Sequence, residues 1–372
     1  MSDGLDDDMG DKRATPSRVA KGRATKGRAT MADLAARAGV NASTVSRALS
    51  GSPLVKPETR AEILRLADEV GYSVNSAARS LRRQKSQTLA MVIPLRPDSG
   101  QTISDPFFLE MVGAVSEAAS DRGYDLLLST PKTAAATVES RLLRTGRADG
   151  LIMIGQAGRE ERLNALGGFG DRIVVWGGRP GGEDDAPRYT LVGSDNVEGG
   201  RLATAHLLER GRRRILFIGD TTLPEVDLRS QGYARAHADA GLAPDPALSL
   251  PIGFGRGMRA VAPRLYALLE AGPRFDAVFA VSDTLAIAAM DALAGAGVDV
   301  PGDVLVVGYD DINAASTARP ALSTISQDIA GGGRLLVDTL LAKLAGRNPG
   351  SALTRTHLVV RESSGGVGQG AG

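Results

Sequence analysis

The chain has 372 residues, 42% of them hydrophobic, which is too long for one small core and suits two or three domains. It contains no cysteine, which excludes disulfides, thiolate metal sites and a cysteine nucleophile; its three histidines, His206, His237 and His357, lie too far apart for a metal motif. A net charge of +1 hides an asymmetry. Residues 1–11 carry five Asp and no base, residues 12–85 carry 16 Lys/Arg against 5 Asp/Glu, and the remainder is mildly acidic, so a polyanionic partner is expected near the N-terminal end.

Residues 1–28 lack aromatics and apolar periodicity and read as a disordered leader. Its tandem KGRATKGRAT, Lys21 to Thr30, is either a basic arm for phosphates or a solvated lead-in. The acidic opening has no apolar signal core and no apolar run reaches the ~18 residues of a membrane span, so export is not expected and the cytoplasm is the default compartment.

A helical pattern starts at Thr30, which with Asp33 forms a capping box. The first helix is expected over Met31 to Ala38, with Leu34, Ala35 and Ala38 on one side and Gly39 ending it. Asn41 caps a second helix, Ala42 to Leu49. Pro57 opens a third, with Ile63, Leu64, Ala67 and Val70 on its apolar face. The outer side of the second helix carries Ser43, Thr44, Ser46 and Arg47. Two short helices joined by a tight glycine turn make a helix-turn-helix, whose second helix enters the major groove of DNA. Hydroxyls there meet phosphates and base edges, and an arginine can fork onto guanine.

NSAARSLRR and QKSQT follow as a short segment and a linker. Beyond them TLAMVIP, YDLLLST, DGLIMIG, RIVVWGG, YTLVGSD, RILFIGD, DAVFAVSD and VLVVGYDD read as buried strands, with helical patterns at 107–122, 197–210, 228–240 and 284–294. This βα alternation over roughly 270 residues predicts an α/β fold with parallel sheets in two lobes, with ligands outside the carboxyl ends of the strands.

The stretch TMADLAARAGVNASTVSRALSGSPLVKPETRAEILRLADEVGYSVNSAARSL resembles the DNA-binding headpiece of the lactose-repressor (LacI/GalR) family. DPFFLEMVGAVSEAASDRGYDLLL, VGSDNVEGGRLATAHLLERGRRRI, RSQGYARA, AVFAVSDTLAIAAM and VPGDVLVVGYDDI resemble its effector-binding core, which is similar to periplasmic sugar-binding proteins; the resemblance covers about residues 29–362. It implies a leader at 1–28, a headpiece at 29–74, a hinge helix and linker at 75–88, a two-lobed core at 89–362 and a flexible tail at 363–372.

Carried over by position, the resemblance makes Ala42, Ser43 and Arg47 base readers and makes Thr30, Thr44, Ser46 and Asn75 phosphate ligands or caps. NSAARSL would be the hinge helix that forms on DNA. In it Ala78 counts among the DNA-binding residues, Leu81 enters the minor groove, where it wedges and bends the duplex, and Arg82 lies beside phosphates. Lys56 stands where the family usually has Ser; it cannot cap a helix but can meet a phosphate. Arg212 replaces a frequent His, with no evident consequence.

The implied effector cleft holds Phe107, Arg229, Phe254, Ser282 and Asp310. Aromatic faces with forked polar groups suit a sugar, while a purine or nucleoside stays open. Phe254 could instead anchor its loop and Asp310 cap its turn. Trp176, the single tryptophan, fits the cleft or the core equally well. Asp310 and Asp311 together read as binding groups. An exported sugar-binding protein would lack the helix-turn-helix. An enzyme lacks support too, since GFGRGMRA is not a full dinucleotide loop and neither a phosphate loop nor a nucleophile elbow is present. No metal or cofactor is expected. The resemblance implies a transcription regulator, read as a repressor, bound to a palindromic operator and controlled by a small effector. No leucine heptad follows Arg361, so a homodimer is expected.

Overall fold

The computed structural model describes residues 29–70, 72, 85–95, 101–131, 137–155, 163, 165–178, 189–255, 257–271 and 274–366. The chain divides into two compact units, Met1–Arg79 and Ser80–Gly372. Asn75, Ala78, Leu81 and Arg82 lie outside the described residues, as do the leader and the linker up to residue 84.

The first unit contains three helices, α1 (Met31–Arg37), α2 (Ala42–Leu49) and α3 (Pro57–Glu69). The Thr30–Asp33 capping box is formed in both directions. Gly39 ends the turn after α1 at φ +63°, a conformation that a side chain disfavours. Leu34, Ala35, Val45, Ala48, Val55, Ile63, Leu66 and Ala67 form one small core. The expected face of α3 needs correction. Leu64 is 49% exposed and Leu66 takes the inward position, because the buried set steps 63, 66, 67 along the helix.

The second unit has two six-stranded sheets. The first has strand order β11-β5-β4-β3-β1-β2 and is parallel throughout. Its strands are β1 (Thr88–Val92), β2 (Asp125–Ser129), β3 (Gly150–Ile154), β4 (Ile173–Trp176), β5 (Thr190–Ser194) and β11 (Ala352–Thr354). The second has order β12-β10-β9-β8-β6-β7, parallel except where β12 joins β10. It contains β6 (Ile215–Ile218), β7 (Ser249–Leu250), β8 (Ala277–Ala280), β9 (Leu305–Asp310), β10 (Ser323–Ser326) and β12 (His357–Val359). The helices are α4 (Pro106–Ser120), α5 (Thr137–Arg144), α6 (Asn196–Glu209), α7 (Pro224–Asp239), α8 (Gly257–Ala271), α9 (Asp283–Gly295), α10 (Asn313–Thr317) and α11 (Ile329–Leu344).

Each sheet with its helices is a lobe, and the chain passes between lobes after β5, after β10 and between β11 and β12. Separate hydrophobic cores fill the two lobes. In the second lobe, α6 and α7 lie very close. A Cβ on Gly200 would strike the Arg229 carbonyl, and one on Gly232 the Val197 carbonyl.

Several expectations change. β1 begins at Thr88, inside the expected linker. β2 is an edge strand, with Asp125 exposed and Leu128 42% exposed, so it is not buried on both faces. β7, β10, β11 and β12 are additional strands, short and polar enough to show no apolar run. The tail does not begin at 363. Ser363 and Ser364 are fully buried in a 3-10 turn, where Ser363 Oγ donates to the Val306 carbonyl and Ser364 Oγ to Ser323 Oγ, both at 2.7 Å.

Candidate functional site

On α2, Val45 and Ala48 point into the small core, which turns Ala42, Ser43 and Arg47 outward, all exposed. Thr44 and Ser46 are half-buried. The Asn41 carboxamide oxygen organises the start of this helix. It accepts from Ser43 Oγ (2.7 Å), Thr44 N (2.8 Å) and Thr44 Oγ1 (2.8 Å). Each hydroxyl can rotate to donate to a phosphate instead. Thr30 is exposed and bonded to Asp33. Lys56 precedes Pro57, is exposed and makes no side-chain cap, in line with its chemistry. The turn ahead of α3 is tied by Arg60, which donates to the Ser52 carbonyl at 2.5 Å.

The second site is a cleft between the two lobes. Pro94 follows β1, Ile154 and Gly155 close β3, Trp176 ends β4, Ser282 follows β8 and Asp310 ends β9, so the carboxyl ends of both sheets meet there. The space measures about 780 Å³ with its open mouth included, suited to a small ligand. All six residues expected in the cleft, Phe107, Trp176, Arg229, Phe254, Ser282 and Asp310, line it. Asp311 does not. Its carboxylate accepts from Arg361 Nη2 at 2.7 Å, which turns it from the cleft and leaves Asp310 as the member of the pair that lines it.

The aromatic walls are seated by the core behind them. Phe107 and Phe108 open α4 and pack with centroids 5.7 Å apart, tilted by 60°. Trp176 is only 5% exposed and belongs to the core of the first lobe as well as to the cleft. Gly332 on α11 makes room for its ring, where a Cβ would meet the indole. Phe254 is half-buried against the second lobe.

The polar groups are tightly held. Arg229 is 5% exposed, donates from Nε to Asn196 Oδ1 at 2.8 Å and from Nη1 to the Val281 carbonyl, and stacks 3.6 Å above the Tyr309 ring. Its Nη1 stands 3.9 Å from Asp310 Oδ1, and Nη2 has no hydrogen-bond partner among the described residues. Burial pushes the Asp310 carboxyl well up, opposed by the Arg229 guanidinium. Asp310 sits at φ +121°, a backbone strain of the kind that collects at functional sites. Ser282 Oγ caps α9 by accepting from Leu285 N at 3.3 Å and lies 3.0 Å from Thr284 Oγ1.

Sequence reasoning missed Asp105, Phe108, Thr284 and Gln327, which also line the cleft, and Asn196, which holds Arg229. Asp105 carried a usable signal, since Asp before Pro is a helix start, and it caps α4 through Phe107 N. Burial raises its carboxyl. Gln327 carried none, because it follows the unread strand β10.

Residues 30–75 match the model of bacterial regulatory proteins of the lacI family, and 204–364 match a periplasmic binding protein-like domain. The chain is 35% identical over 340 residues to the HTH-type transcriptional regulator CelR of Thermobifida fusca, spanning 90% of this chain and 98% of that protein. The chain belongs to the lacI family. Members are transcriptional regulators, so this lacI-family chain is a DNA-binding transcriptional regulator and not an enzyme. A solved complex of the regulator CelR with cellobiose superposes with a TM-score of 0.66 at 32% identity, covering 90% of this chain and all of that one. A lac repressor dimer bound to operator and an anti-inducer superposes with a TM-score of 0.79 over 91% of this chain and 99% of that one; at 23% identity it shows the shared lacI-family fold. No helix among the described residues is long and apolar enough to cross a membrane.

Proposed function

We propose that the protein is a repressor that acts in the cytoplasm as a homodimer on a palindromic operator and is released by an uncharged sugar bound between its lobes. The observation that carries the sugar is the cleft's composition. Phe107, Trp176 and Phe254 offer flat apolar faces for a pyranose ring, and Asp105 and Asp310 offer acceptors for its hydroxyls. Among the charged lining residues described, Asp105, Glu225 and Asp310 are acidic and Arg229 is basic, with only its Nη2 beyond the bonds of Nε and Nη1 to Asn196 and Val281. That balance disfavours a sugar phosphate. The relative CelR, solved with cellobiose, supports the same class. On the headpiece, Ala42, Ser43 and Arg47 read bases, while Thr30, Thr44, Ser46 and Lys56 meet phosphates. Asn75, Ala78, Leu81 and Arg82 belong to the proposed minor-groove hinge.

The test selects a binding sequence from random duplex DNA, then titrates that operator against the protein with cellobiose, other neutral oligosaccharides, sugar phosphates and purines. A palindromic site and a tenfold or larger loss of affinity with a neutral sugar are expected. Release by a sugar phosphate or a purine alone would overturn the effector class.

A further inference from the structure

Asp310 is not an isolated ligand group, because a single side chain connects it to the places where the lobes join. Gln327 lies on the second crossover, immediately after β10, and is 2% exposed. Its Nε2 donates to Asp310 Oδ1 at 2.6 Å. Its Oε1 accepts from Ser194 Oγ at 2.6 Å, and Ser194 ends β5 at the first crossover. Its main-chain carbonyl accepts from Thr354 Oγ1 at 2.7 Å, and Thr354 ends β11 at the third. The crossovers are also joined directly. Thr354 Oγ1 lies 3.3 Å from the Gly193 carbonyl, and Asp195 N donates to Thr356 Oγ1 at 3.1 Å.

We propose that Gln327 is a positioning residue that orients the Asp310 carboxylate for the effector and ties that carboxylate to all three crossovers, so that occupation of the cleft is felt where the lobes hinge. This rests on the effector reading of the cleft. The physical ground is geometric. Gln327 has one donor side and one acceptor side; the donor is committed to the cleft and the acceptor to a neighbouring crossover. Buried hydrogen bonds of this kind have discrete arrangements, since a bond broken without replacement leaves a desolvated polar group. An effector hydroxyl that donates to the Asp310 carboxylate draws it toward the cleft and alters the bond that Oδ1 accepts from Gln327. Gln327 then shifts against Ser194, and the first and second crossovers move relative to each other. Differential bonding of this sort is what a ligand needs to bias two states.

Two measurements test it, and the first needs no ligand. Hydrogen exchange is followed at the Asp195 amide, which bridges the first and third crossovers. Asp310→Ala should speed that exchange tenfold or more in the wild-type background and change it less than twofold in a Gln327→Met background. Equal acceleration in both backgrounds overturns the connection. The second measurement uses Ser194→Ala, outside the cleft lining, with cellobiose as the probe. The ratio of operator affinity without and with saturating cellobiose should fall to a third or less of the wild-type ratio, with operator affinity in the absence of sugar unchanged. An unchanged ratio overturns the coupling role. If neither cellobiose nor any other sugar shifts the wild-type protein, the sugar reading fails, and the exchange experiment still decides the connection. Gln327→Met matches the length of the side chain; should it not fold, Ser194→Ala serves as the second background for the exchange comparison.

Discussion

Replacing Arg229 by Ala separates a ligand contact from a structural one. The guanidinium bonds Asn196 and the Val281 carbonyl, lies 3.9 Å from Asp310 and covers the Tyr309 ring. Removing one partner of a buried ion pair costs about 3–5 kcal/mol. The lower end applies here, because burial pushes the Asp310 carboxyl up and disfavours its charge even beside Arg229. The Asn196 oxygen keeps only the Tyr309 hydroxyl, at 3.4 Å. A loss of about 3 kcal/mol with a urea slope of about 3 kcal/mol/M lowers the midpoint by about 1 M. Trp176 is the single tryptophan and is buried in the lobe unit, so its fluorescence follows unfolding of the lobes and not of the headpiece. Arg229→Ala should therefore shift the fluorescence midpoint by about 1 M and abolish the response to sugar. Arg229→Lys, which keeps the charge but not the planar fork, should fall between. A midpoint within experimental error of wild type, together with a lost sugar response, would refute the reasoning and leave Arg229 as a ligand contact alone.

Arg47→Ala should weaken operator binding by about 1–3 kcal/mol and relax the preference at one base pair per half-site, as read by titration on a panel of single-base operator variants. Gly200→Ala should lower the lobe unfolding midpoint by at least about 1–3 kcal/mol in equivalent stability, because the new methyl meets the Arg229 carbonyl rather than a movable side chain; denaturant melts of the variant check this. Deleting residues 1–28 should flatten the salt dependence of binding to any duplex if the basic repeat meets phosphates, and an identical slope of log affinity against log salt would show the leader inert. Burial pushes the Asp283 carboxyl up to about 7, so the folded protein keeps a proton that the unfolded chain releases above about 4. The stability owed to that proton is present at pH 4 and is lost as pH rises towards 7. Urea midpoints at pH 5 and pH 8 should show wild type losing more than Asp283→Asn over that interval, and equal losses would contradict the assignment.

The sequence was most readable where one periodicity ruled. Ala42–Leu49 emerged at its observed bounds because Asn41 caps it and Val45 and Ala48 repeat at helical spacing. It misled where burial and local pattern disagree. Leu64 sits in an apolar stripe yet faces out, while β10, with Ser323, Thr324 and Ser326, is buried throughout although it reads as polar. Its hydroxyls are tolerated because they are bonded: Thr324 Oγ1 donates to Asp283 Oδ1 at 2.5 Å and Ser323 Oγ to the Arg361 carbonyl at 3.0 Å. The site's unexpected member, Gln327, comes immediately after that strand. Phe107, Arg229, Phe254, Ser282 and Asp310 are nominated because the resemblance to the lacI family places them in a cleft, and Trp176 because it ends a strand that points there. Gln327 is not, because what distinguishes it is which three segments arrive at its amide and carbonyl. Ligand recognition can be guessed from side chains, whereas coupling between the cleft and the crossovers depends on long-range topology: Ser194, Asp310 and Gln327 are 133 and 17 residues apart along the chain and meet in two hydrogen bonds. A homologous cleft could keep every wall residue and still respond differently if the residue at position 327 changed.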